Sequence, residues 1–214
     1  MLRNKLRAML TAEQKENIIL PVGYRRVEYL ESTGTQYIDS GIKVKDIRQI
    51  ELVVEVVSKK IYSWAGNETG SIILGTNDLG DNNIALSASV SDSMRFKWGS
   101  VSTFLLTPIN YPSGFYHLKM TPSYVMVDNK ILNYKTVIPT ATNTMGIFKG
   151  KERTGSQNYG AAVRLKYLKF NDGELAYFAS CIDGNNKPCL YDVTRKKTFY
   201  NTGTGTFPYG KIIT

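Results

Sequence analysis

Residues 50–57 read IELVVEVV, and this stretch decides the fold class. Ile50, Leu52, Val54 and Val56 fall on one side of an extended chain, while Glu51 and Glu55 fall on the other. A two-residue period of this kind marks a half-buried strand. Downstream, SIILG, NIALSASV and MRFKW repeat the strand signal, separated by the turn-rich stretches TNDLGDNN and SDS. FYHLKM and YVMVDNKIL suggest a hairpin, and AVRLKYLKF, ELAYFASCI, CLYDV and KTFYN follow, broken at NDG and DGNNK. In AVRLKYLKF, Val163, Leu165 and Tyr167 alternate before Leu168 and Phe170 take the opposite phase, which predicts a β-bulge near Tyr167. Upstream, YRRVEYLESTGTQYIDSGI (24–42) reads as two short strands folded around STGT, where Ser32, Thr33 and Gly34 supply turn oxygens and a permissive backbone. Many short strands with Gly- and Asn-rich turns predict an all-β sandwich or jelly roll.

Composition agrees with that class. The chain has 214 residues, 42% of them hydrophobic, with 14 Tyr and 18 Gly, a profile expected of a soluble globular domain rich in strands and turns. It is long enough to bury a substantial core as one domain. No apolar run reaches the length of a membrane-spanning helix, so no membrane insertion is expected. MLRNKLRAML lacks the continuous apolar region and small-residue cleavage site of a signal peptide. Two cysteines, Cys181 and Cys189, are too few for a disulfide framework. A bridge between them is possible if they face each other across a hairpin, and two buried thiols are the other reading.

The formal net charge of +9 comes from 27 Lys+Arg against 18 Asp+Glu. Positive residues are scattered in short groups, and no helix-turn-helix, zinc-finger or RNP-like pattern accompanies them, so a nucleic-acid partner is not expected. They suit solvated loops, or contact with an acidic protein surface.

The first residues differ from the rest. Leu2, Leu6, Met9 and Leu10 share one face of a short helix that also carries Arg3 and Arg7, and Pro21 and Gly23 end the segment. About ten helical residues are marginal alone in water, so the stripe needs something to pack on. The predicted organisation is an N-terminal helical arm and linker over 1–23 and one domain over 24–214. Leu2, Arg3, Leu6, Arg7, Met9 and Leu10 are the predicted assembly contacts, made with other subunits.

Two stretches carry a family resemblance. LPVGYRRVEYLESTGTQYIDSGI (20–42) resembles the start of a laminin G-like domain of the concanavalin A-like lectin/glucanase superfamily, in the form found in phage virion proteins and phage-derived genes of gut bacteria. FASCIDGNNKPCLYDVTRKKTFYNTGTGTF (178–207) is similar to the closing strands of that group, with Cys189 as a departure at the position before Leu190. The resemblance implies an all-β fold of two antiparallel sheets packed as a jelly-roll sandwich. It also implies a non-enzymatic virion structural protein (capsid decoration, head fibre or tail component) that joins other virion proteins through its arm, forms a homo-oligomer and engages host glycans through exposed loops. A free carbohydrate-binding protein is the alternative, and a degenerate glycanase a third.

Fold does not settle function, so the residues must. The Glu-x-Asp-x-x-Glu strand that the resemblance associates with glucanases is missing. Glu51 and Glu55, four residues apart on one strand, stand about 13 Å apart, beyond the roughly 5–9.5 Å that glycoside hydrolysis uses. They are expected to form a solvated strand face. His117 is the only histidine and shares a face with Lys119, so no zinc site and no hydrolytic triad is expected. No cofactor is expected. GTNDLGDNN (75–83) offers Asp78 and Asp81 as hard oxygen ligands for calcium but does not match an EF-hand, so turning the chain is its simpler role. Sugar recognition needs an aromatic platform beside planar hydrogen-bonding groups. Tyr62, Trp64 and Asn67 in KIYSWAGNE, with Trp98 in RFKWG, are the candidates, against the reading that both tryptophans fill the core.

Overall fold

The computed structural model of the chain describes residues 18–58, 71–76, 83–88, 94–105, 114–149 and 161–213. Seventeen strands are present among these: β1 (Arg25–Val27), β2 (Leu30–Thr33), β3 (Ile38–Lys43), β4 (Ile50–Ser58), β5 (Ser71–Gly75), β6 (Ile84–Ala88), β7 (Met94–Trp98), β8 (Val101–Leu105), β9 (Tyr116–Met120), β10 (Tyr124–Val127), β11 (Lys130–Asn133), β12 (Thr144–Ile147), β13 (Ala162–Phe170), β14 (Ala176–Ile182), β15 (Pro188–Asp192), β16 (Lys197–Phe199) and β17 (Ile212–Ile213). They form two antiparallel sheets. The larger runs β11-β10-β9-β4-β13-β14-β1-β17, with β2 beside β13 and the pair β15-β16 beside β14; the smaller runs β3-β12-β5-β6-β7-β8.

The core lies between the sheets. Ile50, Leu52, Val54 and Val56 of β4 are fully buried and join Leu118, Leu168, Phe170 and Phe178 of the large sheet with Ile73, Leu86, Phe96 and Met145 of the small one. The alternation read in residues 50–57 is the inner face of the central pair β4–β13. The bulge in β13 is also present. Leu165 pairs with Val54 and Tyr167 with Val53, so one extra residue resets the phase and keeps both Leu165 and Leu168 on the core.

The hairpin expected over 24–42 is a corner instead. β2 pairs with β13 in the large sheet, whereas β3 pairs with β12 in the small one. The turn oxygen read at Ser32 is in use, accepting from Gly34 N at 3.1 Å, and Gln36, not read from sequence, adds a side-chain oxygen that accepts from Thr33 N at 2.8 Å. Such bonds specify a change of direction but not which strand the exiting chain will join, because the ladder partners lie over a hundred residues away.

Residues 201–206 brace that corner. Asn201 Oδ1 accepts from Tyr37 N at 3.0 Å and from Gly203 N at 2.8 Å, while Thr202 N donates to Tyr37 O at 2.9 Å. A Cβ on Gly203 would stand 2.1 Å from Thr35 O, so the close approach requires glycine there. Arg195 reaches from the turn after β15 to donate to Ser40 O at 2.9 Å, anchored by buried Asp192. The two stretches 20–42 and 178–207 therefore meet in space.

The expected helix over residues 1–10 lies outside the described residues. The linker is tied down where it is described, since Leu20, beside Tyr24 of the domain, packs on a small cluster of Cys181, Cys189 and Tyr191.

Candidate functional site

The outer face of the large sheet concentrates the chemistry of the described residues. Cross-strand register builds it from two rows of alternating charge. In one, Arg164 on β13 sits between its partners Glu31 on β2 and Glu55 on β4. In the other, Glu51 on β4 sits between Lys119 on β9 and Lys169 on β13. Opposite charges directly across strands attract, so each row is locally compensated.

Arg164 Nε donates to Glu31 at 2.7 Å and its Nη1 to Glu55 at 3.1 Å. These hydrogen bonds, led by the one to Glu31, raise the guanidinium's already high pKa. Tyr167 OH donates to Glu51 Oε1 at 3.0 Å, and His117 Nε2 lies 3.3 Å from the same oxygen. Burial pushes the Glu51 carboxyl up, but the contacts from His117 and Tyr167 outweigh it and hold the group below the usual carboxylate range. Lys119 Nζ, 4.0 Å from Glu51, also donates to Asp172 at 3.3 Å.

Aromatic rings fill the spaces between charges. Tyr29 lies 6.0 Å from Phe115, and Tyr167 lies 6.1 Å from Tyr177, edge to face. Arg164 stands 4.8 Å from the Tyr29 centroid, Lys166 4.2 Å from Phe115 and Lys169 4.7 Å from Tyr177. Arg164 and Lys166 thus cover ring faces while also holding ion pairs, Arg164 with Glu31 and Glu55 and Lys166 with Glu28 at 4.0 Å.

This corrects the expectation of a solvated glutamate face. Glu51 and Glu55 do point away from the core, but their side chains are only 14% and 9% exposed. The residues that enclose them, Arg164 and Tyr167, were not singled out as site residues from sequence. The available signal was the complement of the apolar phase in AVRLKYLKF, which places cations on the face opposite the core.

Trp98 requires a second correction. It is fully buried, with Phe96 at 6.4 Å, so its indole belongs to the core and offers no platform to a sugar. The neighbouring core strands enclose it because β7 alternates strictly, with Met94, Phe96 and Trp98 all inward. Tyr62, Trp64 and Asn67, the calcium candidates Asp78 and Asp81, and the assembly candidates Leu2, Arg3, Leu6, Arg7, Met9 and Leu10 lie outside the described residues. Among the described residues no three metal-ligating side chains cluster, and no helix is long and apolar enough to cross a membrane.

Chemically, the outer face is a scaffold of satisfied charges. A carboxyl held ionised by donors is poorly placed to deliver a proton, and Glu55 is committed to a guanidinium. No family model and no curated protein matches the chain.

Proposed function

We propose that this chain is a non-enzymatic virion structural protein, a concanavalin A-like jelly-roll module that decorates a phage particle and recognises host surface glycans through its loops. The observation that carries the non-catalytic part is the mutual neutralisation of Glu31, Arg164 and Glu55 beside Glu51, His117 and Tyr167. That face is built to be stable rather than reactive, which leaves recognition to segments outside it, such as residues 60–68 with Tyr62, Trp64 and Asn67. The particle assignment is supported by the family resemblance of residues 20–42 and 178–207, which pack together as one structural unit. The N-terminal arm, with Leu2, Leu6, Met9 and Leu10 on one face, is the attachment element, and the partners are other virion proteins and further copies of the chain.

Purified particles provide the test. The chain is expected in their proteome at a fixed copy number, and a version starting at residue 20 is expected to fold but not to join them. On a glycan array the intact protein is expected to bind, with binding weakened by Trp64→Ala and folding unchanged. Absence from particles with retained glycan binding would make this a free carbohydrate-binding protein. Turnover of any polysaccharide would restore the glycanase reading.

A further inference from the structure

Cys181 and Cys189 are both free and both fully buried. They are direct register partners on β14 and β15, and their sulfurs stand 3.4 Å apart. The ladder defines the kind of pair they form. Val193 N donates to Tyr177 O at 2.8 Å and Asp183 N to Lys187 O at 3.0 Å, so 177/193 and 183/187 belong to the hydrogen-bonded class. Alternation along the ladder places 181/189 in that same class, with Cα atoms about 5.5 Å apart. That separation lies within the roughly 4.4–6.8 Å a disulfide spans, so side-chain rotation alone can bring the sulfurs to bonding distance.

The pair is covered. Leu20, Tyr24, Val193 and Tyr200 pack against the cluster that the two cysteines form with Tyr191. Tyr24 meets Tyr191 edge-on at 5.8 Å, and its hydroxyl lies 2.9 Å from Thr198 Oγ1. Tyr200 OH donates to Asp183 at 2.8 Å, and Lys187 stands 4.3 Å over its ring. Half of this cover, Leu20 and Tyr24, lies where the linker meets the domain. The hydrogen bond to Cys189 and burial both push the Cys181 thiol up, so it stays protonated while the cover is closed.

We propose that Cys181 and Cys189 are a latent disulfide, a modification site that clamps β14 to β15, with residues 20–24 controlling access to it. The co-reactant is a small disulfide of the glutathione class. One cysteine thiolate attacks it, forming a mixed disulfide and releasing one glutathione thiol; the second cysteine then attacks the protein sulfur and releases the other. Two protein thiols lose two protons and two electrons, and one glutathione disulfide is reduced to two thiols. The chemistry stands on the geometry. Its timing, open in a reducing cytoplasm and closed outside the cell, rests on the virion reading.

The test uses the full chain, reduced and then exposed to oxidised glutathione without denaturant. Intact mass is expected to fall by two hydrogens within one chain, and the product should melt at a higher temperature than the reduced form. Cys181→Ser and Cys189→Ser should each stop at a single glutathione adduct. Tyr24→Ala and Leu20→Ala should each speed closure several-fold, with near-ultraviolet circular dichroism checking that the fold is kept. A wild-type chain that keeps both thiols, stops at a mixed disulfide or forms only linked dimers overturns the clamp. An unchanged rate in both folded cover variants overturns the role of residues 20–24. Absence of the chain from particles would defeat the virion reading and leave the clamp standing.

Discussion

The two faces of β4 are closed to water by different means. On the inner face, Ile50, Leu52, Val54 and Val56 are buried by contact with apolar side chains of both sheets. On the outer face, Glu51 and Glu55 are almost as enclosed, yet each is surrounded by hydrogen-bond donors and cations set by register. Inner burial is non-directional and tolerates any apolar group of suitable volume. Outer burial is directional, and removing one partner leaves another group dehydrated and unpaired. Low exposure therefore does not by itself mark a core, and a carboxylate facing away from a core need not face water.

The largest effect should come from the inner face. Leu52→Ala is expected to destabilise the protein by about 2–5 kcal/mol, the usual range for opening such a cavity, read from denaturant unfolding with an unchanged slope. A cost below that range would mean the inner face collapses easily and is less closely packed than the outer one.

Arg164→Met should come next. It strands Glu31 and Glu55 together and is expected to cost about 1–3 kcal/mol. Adding Glu31→Gln and Glu55→Gln should recover most of the loss, because the triple variant removes the stranded charges. If the glutamine changes give no recovery, the row is held by the packing of the Arg164 stem on Tyr29 and not by charge.

Tyr167→Phe is smaller, about 0.5–1.5 kcal/mol for one hydrogen bond, and carries a pH signature. The folded Glu51 carboxyl is held below its ordinary value, so its contribution is fully present above that ordinary value. It is lost as pH falls through the depressed folded value. The stability gap between the natural chain and Glu51→Gln should therefore narrow on acidification. Tyr167→Phe should shrink that gap at neutral pH. A gap that is flat with pH would remove Glu51 from the compensated row.

Much of this was legible along the chain. Strand identity in residues 50–57, 94–98 and 162–170 follows from a two-residue period, and the bulge at Tyr167 from a break in it. Turn chemistry at Ser32, Thr33 and Gly34 was equally plain. The same local signals misjudged the destination of β3, because Ser32, Thr33 and Gly34 bend the chain whether it returns to its neighbour or crosses to the other sheet. Trp98 shows the limit for a single side chain. An indole after RFK suits either a core or a platform, and only the strands around β7 decided for the core.

By itself, then, the sequence determined that this is a β protein, which residues alternate and where the chain turns, since those depend on near neighbours and the pleat. Tertiary structure alone decided which strands pair. That pairing set Arg164 between two glutamates, Glu51 between two lysines, and Cys181 opposite Cys189. The physical reason is register. The pairing energy between strands comes from partners distant in sequence, and a shift of one residue would have turned each of these side chains to the other face.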